Sequence, residues 1–221
     1  MEDMKRTHWV TVEGDFNWKC VQDNFNESYH LPYVHPQTLA SMNEHHSGCQ
    51  FDLYPSGHAR MLMPGGGPGP QYEGKPERTI KSLGPDREFW ELDPEPYLED
   101  LPSLRTALQR RKRELGASKG YDFSSYSDEQ LTDNYHYTVF PNLSFSMKPD
   151  GCIWLRGTPH PTDPQKCIFD MWYLTQFPEG VSEYWSNSMR EWVSIDHQVE
   201  HQTGIAGEVS CGPGIDRLSQ A

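Results

Sequence analysis

YHYTVFPNLSFSMKPDGCIWLRGTPHPTDPQKCIFDMWYLTQF (residues 135–177) decides the fold class. Apolar residues recur there with a period of two, in YHYTVF, LSFSMK, GCIWLRGT and KCIFDMWYLTQF. Turn signals separate these segments at Pro141-Asn142, at Pro149 to Gly151 and from Pro159 to Gln165. Alternating segments joined by tight turns predict an antiparallel meander.

On the C-terminal side, residues 181–203 read as a long helix stopped near Gly204. Trp185, Met189, Trp192, Asp196 and Val199 are spaced as one helical stripe. A bare carboxylate on an apolar stripe is costly unless a cation or hydrogen bonds compensate it, so Asp196 demands a partner. On the N-terminal side, HWVTVE (8–13) alternates like an edge strand. Residues 17–31 read as a helix entered from Asn17 and stopped by Pro32, which lacks an N–H and disfavours helix at the residue before it. CQFDLY and HARMLM form a hairpin around Pro55-Ser56-Gly57, and PGGGPGP (64–70) reads as a loop and linker. Residues 71–100 give no clear assignment. Ser103 is an N-cap candidate for a helix running to about Leu115, closed by Gly116, with Arg110 to Arg113 as its solvated face. Ser127 to Gln130 is a capping box. This order predicts an α+β domain, one antiparallel sheet with a long C-terminal helix across it.

Composition narrows the function. The 221 residues suit one domain, and the net charge of -13 argues against nucleic-acid backbones and anionic membranes as partners. MEDMKR is polar with no apolar segment behind it, and no stretch is long and apolar enough for a membrane helix. Five cysteines without a CxxC pair read as reduced thiols and suggest the cytoplasm.

DNFNESYHLPYVHP (23–36) interleaves ligand-type side chains with apolar ones. His30 and His35 flank Pro32, with Glu27 and Asn24 upstream. Two imidazoles and the Asp196 carboxylate would make a two-His-one-carboxylate set, which leaves coordination positions open and suits Fe(II) over structural zinc. The plainer readings are a hydrogen-bonded core histidine pair, a solvated Glu27, and an Asp196 that caps a backbone group or pairs with a buried His. His197 and His201 lie off the apolar stripe, and His45-His46 reads as a surface pair. His136 and His160 alternate into the meander, where core or surface is the simplest assignment.

NWKCVQDNFNESYHLPYVHP (17–36) resembles the iron-binding segment of the Rieske non-haem iron aromatic-ring-hydroxylating oxygenases, in their alpha (large) subunit. The shared pattern is NWK, an acidic-Asn pair, an acidic residue, Tyr-His, four residues and His. YTVFPNLSF (137–145) and RGTPHPTDPQKCIFDMWYL (156–174) are similar to that family's sheet. The resemblance implies a helix-grip (START/Bet v1-like) domain in which His30, His35 and Asp196 hold a mononuclear Fe(II). It implies that Glu27 is the carboxylate linking this iron to a Rieske cluster on a neighbouring subunit, and that Asn24 is an amide beside the ligands. A small apolar substrate would be hydroxylated or dihydroxylated with O2, with electrons from a ferredoxin or reductase, in a homotrimer. Ile195 stands where the family has an acidic residue. None of the five cysteines starts the Cys-x-His or Cys-x-x-His pattern of a [2Fe–2S] site. Residues 1–221 therefore read as the catalytic domain, with the Rieske domain absent and the cluster expected on a missing domain or another chain. The alternatives are a non-catalytic domain of the same fold that binds a hydrophobic ligand, and a zinc hydrolase.

Overall fold

The computed structural model describes residues 4–176 and 210–211. The helix expected over 181–203 lies outside the described residues. Eight strands form one antiparallel sheet: β1 (Met4–Gly14), β2 (Gln50–Leu53), β3 (Ala59–Met63), β4 (Asn134–Val139), β5 (Leu143–Lys148), β6 (Gly151–Pro159), β7 (Cys167–Gln176) and β8 (Ser210–Cys211). They are hydrogen-bonded in the order β2-β3-β4-β5-β6-β7-β1-β8. The meander thus forms where alternation placed it, and β1 extends beyond the expected 8–13. The chain divides into two compact units. The first takes the described residues up to Asn26, Leu53–Ala59 and those from Tyr137 onward, and the second takes Glu27–Asp52 and Arg60–His136.

In the first unit, side chains alternate between the two sheet faces because a strand has a period of two. Leu155, Cys167 and Phe169 form a buried cluster with Val21 of α1 (Lys19–Phe25). Each such apolar side chain contributes roughly 1.5–3 kcal/mol on full burial. Gly157 lets α1 approach β6, since a Cβ there would lie 2.6 Å from the Trp18 carbonyl oxygen. The opposite face carries a row of rings. Tyr137, Phe145, Trp154 and Trp172 follow one another at 5.3, 5.8 and 6.2 Å between centroids. Arg156 lies over Trp172 at 4.8 Å and donates to Asp170, which also accepts from Thr11 at 2.8 Å. The tip of the β2–β3 hairpin closes as the Pro-Ser-Gly signal predicts: Tyr54 N–H donates to His58 O at 3.0 Å, and Gly57 takes a φ of 82°.

The second unit has its own core of Leu83, Trp90, Leu92, Leu104, Ala107, Leu108, Tyr121, Phe123 and Leu131. α2 (Leu31–Val34), α3 (Pro76–Ser82), α4 (Pro85–Phe89) and α5 (Leu101–Leu115) supply its helices. α3 and α4 occupy the stretch that sequence left unassigned.

Several local expectations need correction. α5 is capped by Asp100 rather than Ser103, because Pro102 fits the first turn, where its missing N–H costs nothing. The other end of α5 is as expected, at Leu115 with Gly116 as its C-cap, although Gly116 stays right-handed and Gly120 takes the left-handed position at φ 83°. Gly116 is also a close-approach position, since a Cβ would lie 2.8 Å from the Lys112 carbonyl oxygen. The Arg110 to Arg113 run is not simply a solvated face. Lys112 is 1% exposed, donates to Leu131 O at 3.0 Å and lies 5.5 Å from the centre of the Trp90 ring. Arg113 donates to the carbonyls of Phe123 and Tyr126 and to Asp128. PGGGPGP is not a free linker: Gly65 and Gly69 are buried, and Gly69 N–H donates to Leu39 O at 2.7 Å. The capping box forms as expected, with Ser127 N–H donating to Gln130 Oε1 at 2.8 Å.

Candidate metal centre

α1 ends at Phe25, earlier than the predicted stop. The Asn26 N–H closes the last turn on Gln22 O at 3.1 Å, and the Asn26 side chain accepts from Thr138. Asn24 is exposed on this helix. Ser28 is buried and donates to Glu44 O at 2.9 Å. Pro32 then opens a new turn, α2, instead of ending a helix. Proline is tolerated in a first turn because its absent N–H would have no intrahelical partner there. Tyr33 and Val34 N–H donate to His30 O at 3.0 and 2.9 Å, and His35 N–H donates to Leu31 O at 2.9 Å. A single helical turn therefore separates the two histidines.

Glu27 binds His30 twice. Its Oε2 accepts from the His30 backbone N–H at 3.1 Å, and its Oε1 pairs with the ring Nδ1. Both side chains are largely buried, at 15% exposure for His30 and 19% for Glu27. A carboxylate on Nδ1 holds a proton there, which leaves the Nε2 lone pair for a metal. The His35 ring stands edge-on to His30, with centroids 5.4 Å apart and planes at 79°. Thr38 fixes the His35 carbonyl from below, donating through N–H at 2.9 Å and Oγ1 at 2.8 Å. That tie was missed in the sequence, although a Thr three residues after the histidine is a recognisable signal for a local side-chain-to-backbone bond. Tyr29 and Tyr33, 76% and 88% exposed, surround the pair on the outside.

Four other histidines among the described residues play structural parts. His136 is buried, and burial lowers its pKa to about 4, so it is a neutral core residue near pH 7. The Nδ1 of His160 accepts from the Asp163 N–H at 3.1 Å and organises the turn before β7. The His45 and His46 rings lie 4.1 Å apart, and His45 Nδ1 pairs with Ser47 Oγ at 2.7 Å.

The family model described as ring hydroxylating alpha subunit (catalytic domain) matches residues 1–203. The chain belongs to this family. No curated protein matches it. Among solved structures, it is similar to a quaternary ammonium Rieske monooxygenase at 11% identity, covering 92% of this chain and 40% of that one with a TM-score of 0.51. A second structure, that of the quaternary ammonium Rieske monooxygenase CntA with an inhibitor, matches at 11% identity, 92% and 39% coverage and a TM-score of 0.51. A naphthalene 1,2-dioxygenase variant bound to phenanthrene matches at 14% identity, 89% and 41% coverage and a TM-score of 0.46. The first two likenesses support the fold. The chain spans about two fifths of the chains it resembles.

Membership in the ring-hydroxylating family implies a non-haem iron, and the histidine pair fits one. A ring centre lies about 3.2 Å from an ion held at about 2.1 Å, so two rings on one ion are at most about 6.4 Å apart. The observed 5.4 Å falls within that limit. Among the described residues, no group of three or more His, Cys, Asp or Glu side chains could hold a metal. The third ligand anticipated from sequence, Asp196, lies outside the described residues. Among those residues, too, no helix is long and apolar enough to cross a membrane.

Proposed function

We propose that residues 1–221 are the mononuclear iron domain of an oxygenase that hydroxylates or dihydroxylates an aromatic or other apolar compound with O2. His30, His35 and Asp196 would hold the Fe(II). The observation that carries the reading is the Glu27–His30 pair with the His35 ring 5.4 Å away. When bound, the iron supplies the O2 chemistry.

The protein residues have distinct tasks. Glu27 keeps a proton on Nδ1 of His30 and so directs Nε2 toward the metal. Its place beside His30 also suits entry of electrons from a [2Fe–2S] cluster expected on a missing domain or another chain. The exposed Tyr29, Tyr33 and Val34 beside it are suited to a docking partner that carries the cluster. By the resemblance, the Asn24 amide would be an orienting group for the ligands. A ferredoxin or reductase, a homotrimeric full-length assembly and a cytoplasmic setting complete the proposal. Carnitine oxidation, named for the quaternary ammonium monooxygenase, adds quaternary amines to the substrates worth testing.

Anaerobic Fe(II) reconstitution tests the reading. About one iron per chain, lost on His30→Ala, is expected, followed by spectral shifts with a panel of aromatic, alicyclic and quaternary ammonium compounds. A metal-free protein that retains an apolar ligand would transfer the assignment to a non-catalytic binding domain. Retained zinc with O2-independent hydrolysis would make it a hydrolase.

A further inference from the structure

The two histidines are anchored differently. His30 is fixed within its own turn by Glu27. His35 is fixed from the other direction, through the 3₁₀ turn Pro36–Ala40 and the residues that follow. Thr38 O accepts the N–H groups of Ser41 at 2.9 Å and Met42 at 3.0 Å. Met42 forms an antiparallel bridge with Gly65. On either side of that bridge, Asn43 N–H donates to Pro64 O at 2.8 Å and Gly66 N–H to Ser41 O at 3.0 Å.

Gly65 is gripped on both sides of its backbone. Its N–H donates to Asp133 Oδ1 at 3.1 Å, and its carbonyl accepts from Arg105 Nη1 at 2.9 Å. Arg105 is also ion-paired with Asp133, whose side chain is 3% exposed. A Cβ on Gly65 would lie 2.5 Å from the Thr132 carbonyl oxygen, so a larger residue would push the strap out of the clamp. Arg105 is rooted in α5 beside the core residue Leu104. A buried ion pair adds little net stability, but it can impose one geometry on what it holds.

We propose that Asp133, locked by Arg105, is a positioning residue for the His35 half of the metal centre, acting through Gly65 and residues 38–43. This rests on the metal reading above. The clamp sets where His35 sits, while Glu27 sets His30 independently.

The test compares wild type, Asp133→Asn, Arg105→Lys and, as a core control away from the clamp in sequence, Leu92→Ala. Anaerobic Fe(II) affinity is measured by competition with a colorimetric chelator. Asp133→Asn should weaken binding by roughly threefold or more, the size of effect seen for residues that act on a site through a packed network. Leu92→Ala should lower Tm at least as much as Asp133→Asn does and leave affinity within about twofold. Equal weakening by Leu92→Ala, or unchanged affinity in Asp133→Asn, overturns the proposal. If Asp133→Asn fails to fold, Arg105→Lys keeps a charge beside Asp133 but removes the planar guanidinium whose Nη1 serves both Gly65 O and Asp133, and it should weaken iron in the same direction. Imidazole 1H–15N spectra of the metal-free proteins give a second readout. The His35 ring signals should move in Asp133→Asn, and the Nδ1–H signal of His30 should stay in place. Movement of both histidines, or of neither, also overturns the proposal. A wild type that binds no Fe(II) refutes the site reading itself, and the imidazole spectra still decide the clamp.

Discussion

Replacing Glu27 by Gln separates the metal role of this residue from its role in folding. Both Glu27 oxygens are used, one by the His30 backbone N–H at 3.1 Å and one by the ring Nδ1. A glutamine keeps one acceptor oxygen, which can still take the backbone N–H. The turn should therefore hold, and Tm should fall by no more than about 4 °C, equivalent to about one neutral hydrogen bond in a chain of this size. The amide cannot stabilise the Nδ1 proton as a carboxylate does. Removing such an outer partner weakens metal affinity about 10–100-fold, or about 1.4–2.7 kcal/mol. Anaerobic Fe(II) titration against a chelator, alongside a thermal melt of the metal-free protein, reads both quantities. Iron bound as tightly by Glu27→Gln as by wild type would refute the idea that Glu27 tunes His30. A collapse of Tm together with affinity would reduce the pair to a structural contact.

Four further outcomes are expected. Gly157→Ala should destabilise by about 1–3 kcal/mol through overpacking against the Trp18 carbonyl, measured as a lowered Tm. Lys112→Met keeps the apolar stem but leaves the buried Leu131 carbonyl without its ammonium donor, so a loss of about 1–3 kcal/mol should appear in denaturant melts. His136 has its folded pKa lowered by burial to about 4, below the ordinary 6.5, so the unfolded chain binds the proton first. Its contribution is therefore present above pH 6.5 and is lost as pH falls toward 4, at most about 3 kcal/mol, and His136→Phe should flatten that part of the stability profile. Cys20 is exposed, whereas burial pushes the Cys152 thiol up to about 12 and also raises Cys167, so a thiol reagent should label Cys20 before Cys152 and Cys167, as peptide mapping would reveal.

The elements that sequence resolved are those whose local signals agree with their surroundings. The meander strands lie within a residue or two of their predicted ends, because alternation and turn chemistry coincide there. The Ser127–Gln130 box formed because both of its bonds are local. Glu27 stood out in the sequence as an acid upstream of the histidines, but its pairing with His30 was not anticipated, although the spacing of three is the local signal for it. Three other features depended on distant residues. Pro32 opens a turn because the Asn26 side chain, held by Thr138, has already ended α1. Lys112 looked solvated by composition, and its burial follows from the Trp90 ring and the Leu131 carbonyl brought together by the second core. The clamp on Gly65 joins residues 68 positions apart and leaves no local trace.

The placement of the indoles has a practical consequence. Trp154 and Trp172 sit in one ring series of the first unit, whereas Trp90 lies in the core of the second and is the sole tryptophan of that unit. Coupled transitions of the first group, and the part of the emission that a Trp90→Phe variant removes, therefore offer two optical channels within one polypeptide. Followed together during chemical denaturation, they would reveal whether the halves melt as one cooperative body or in succession, without any added label.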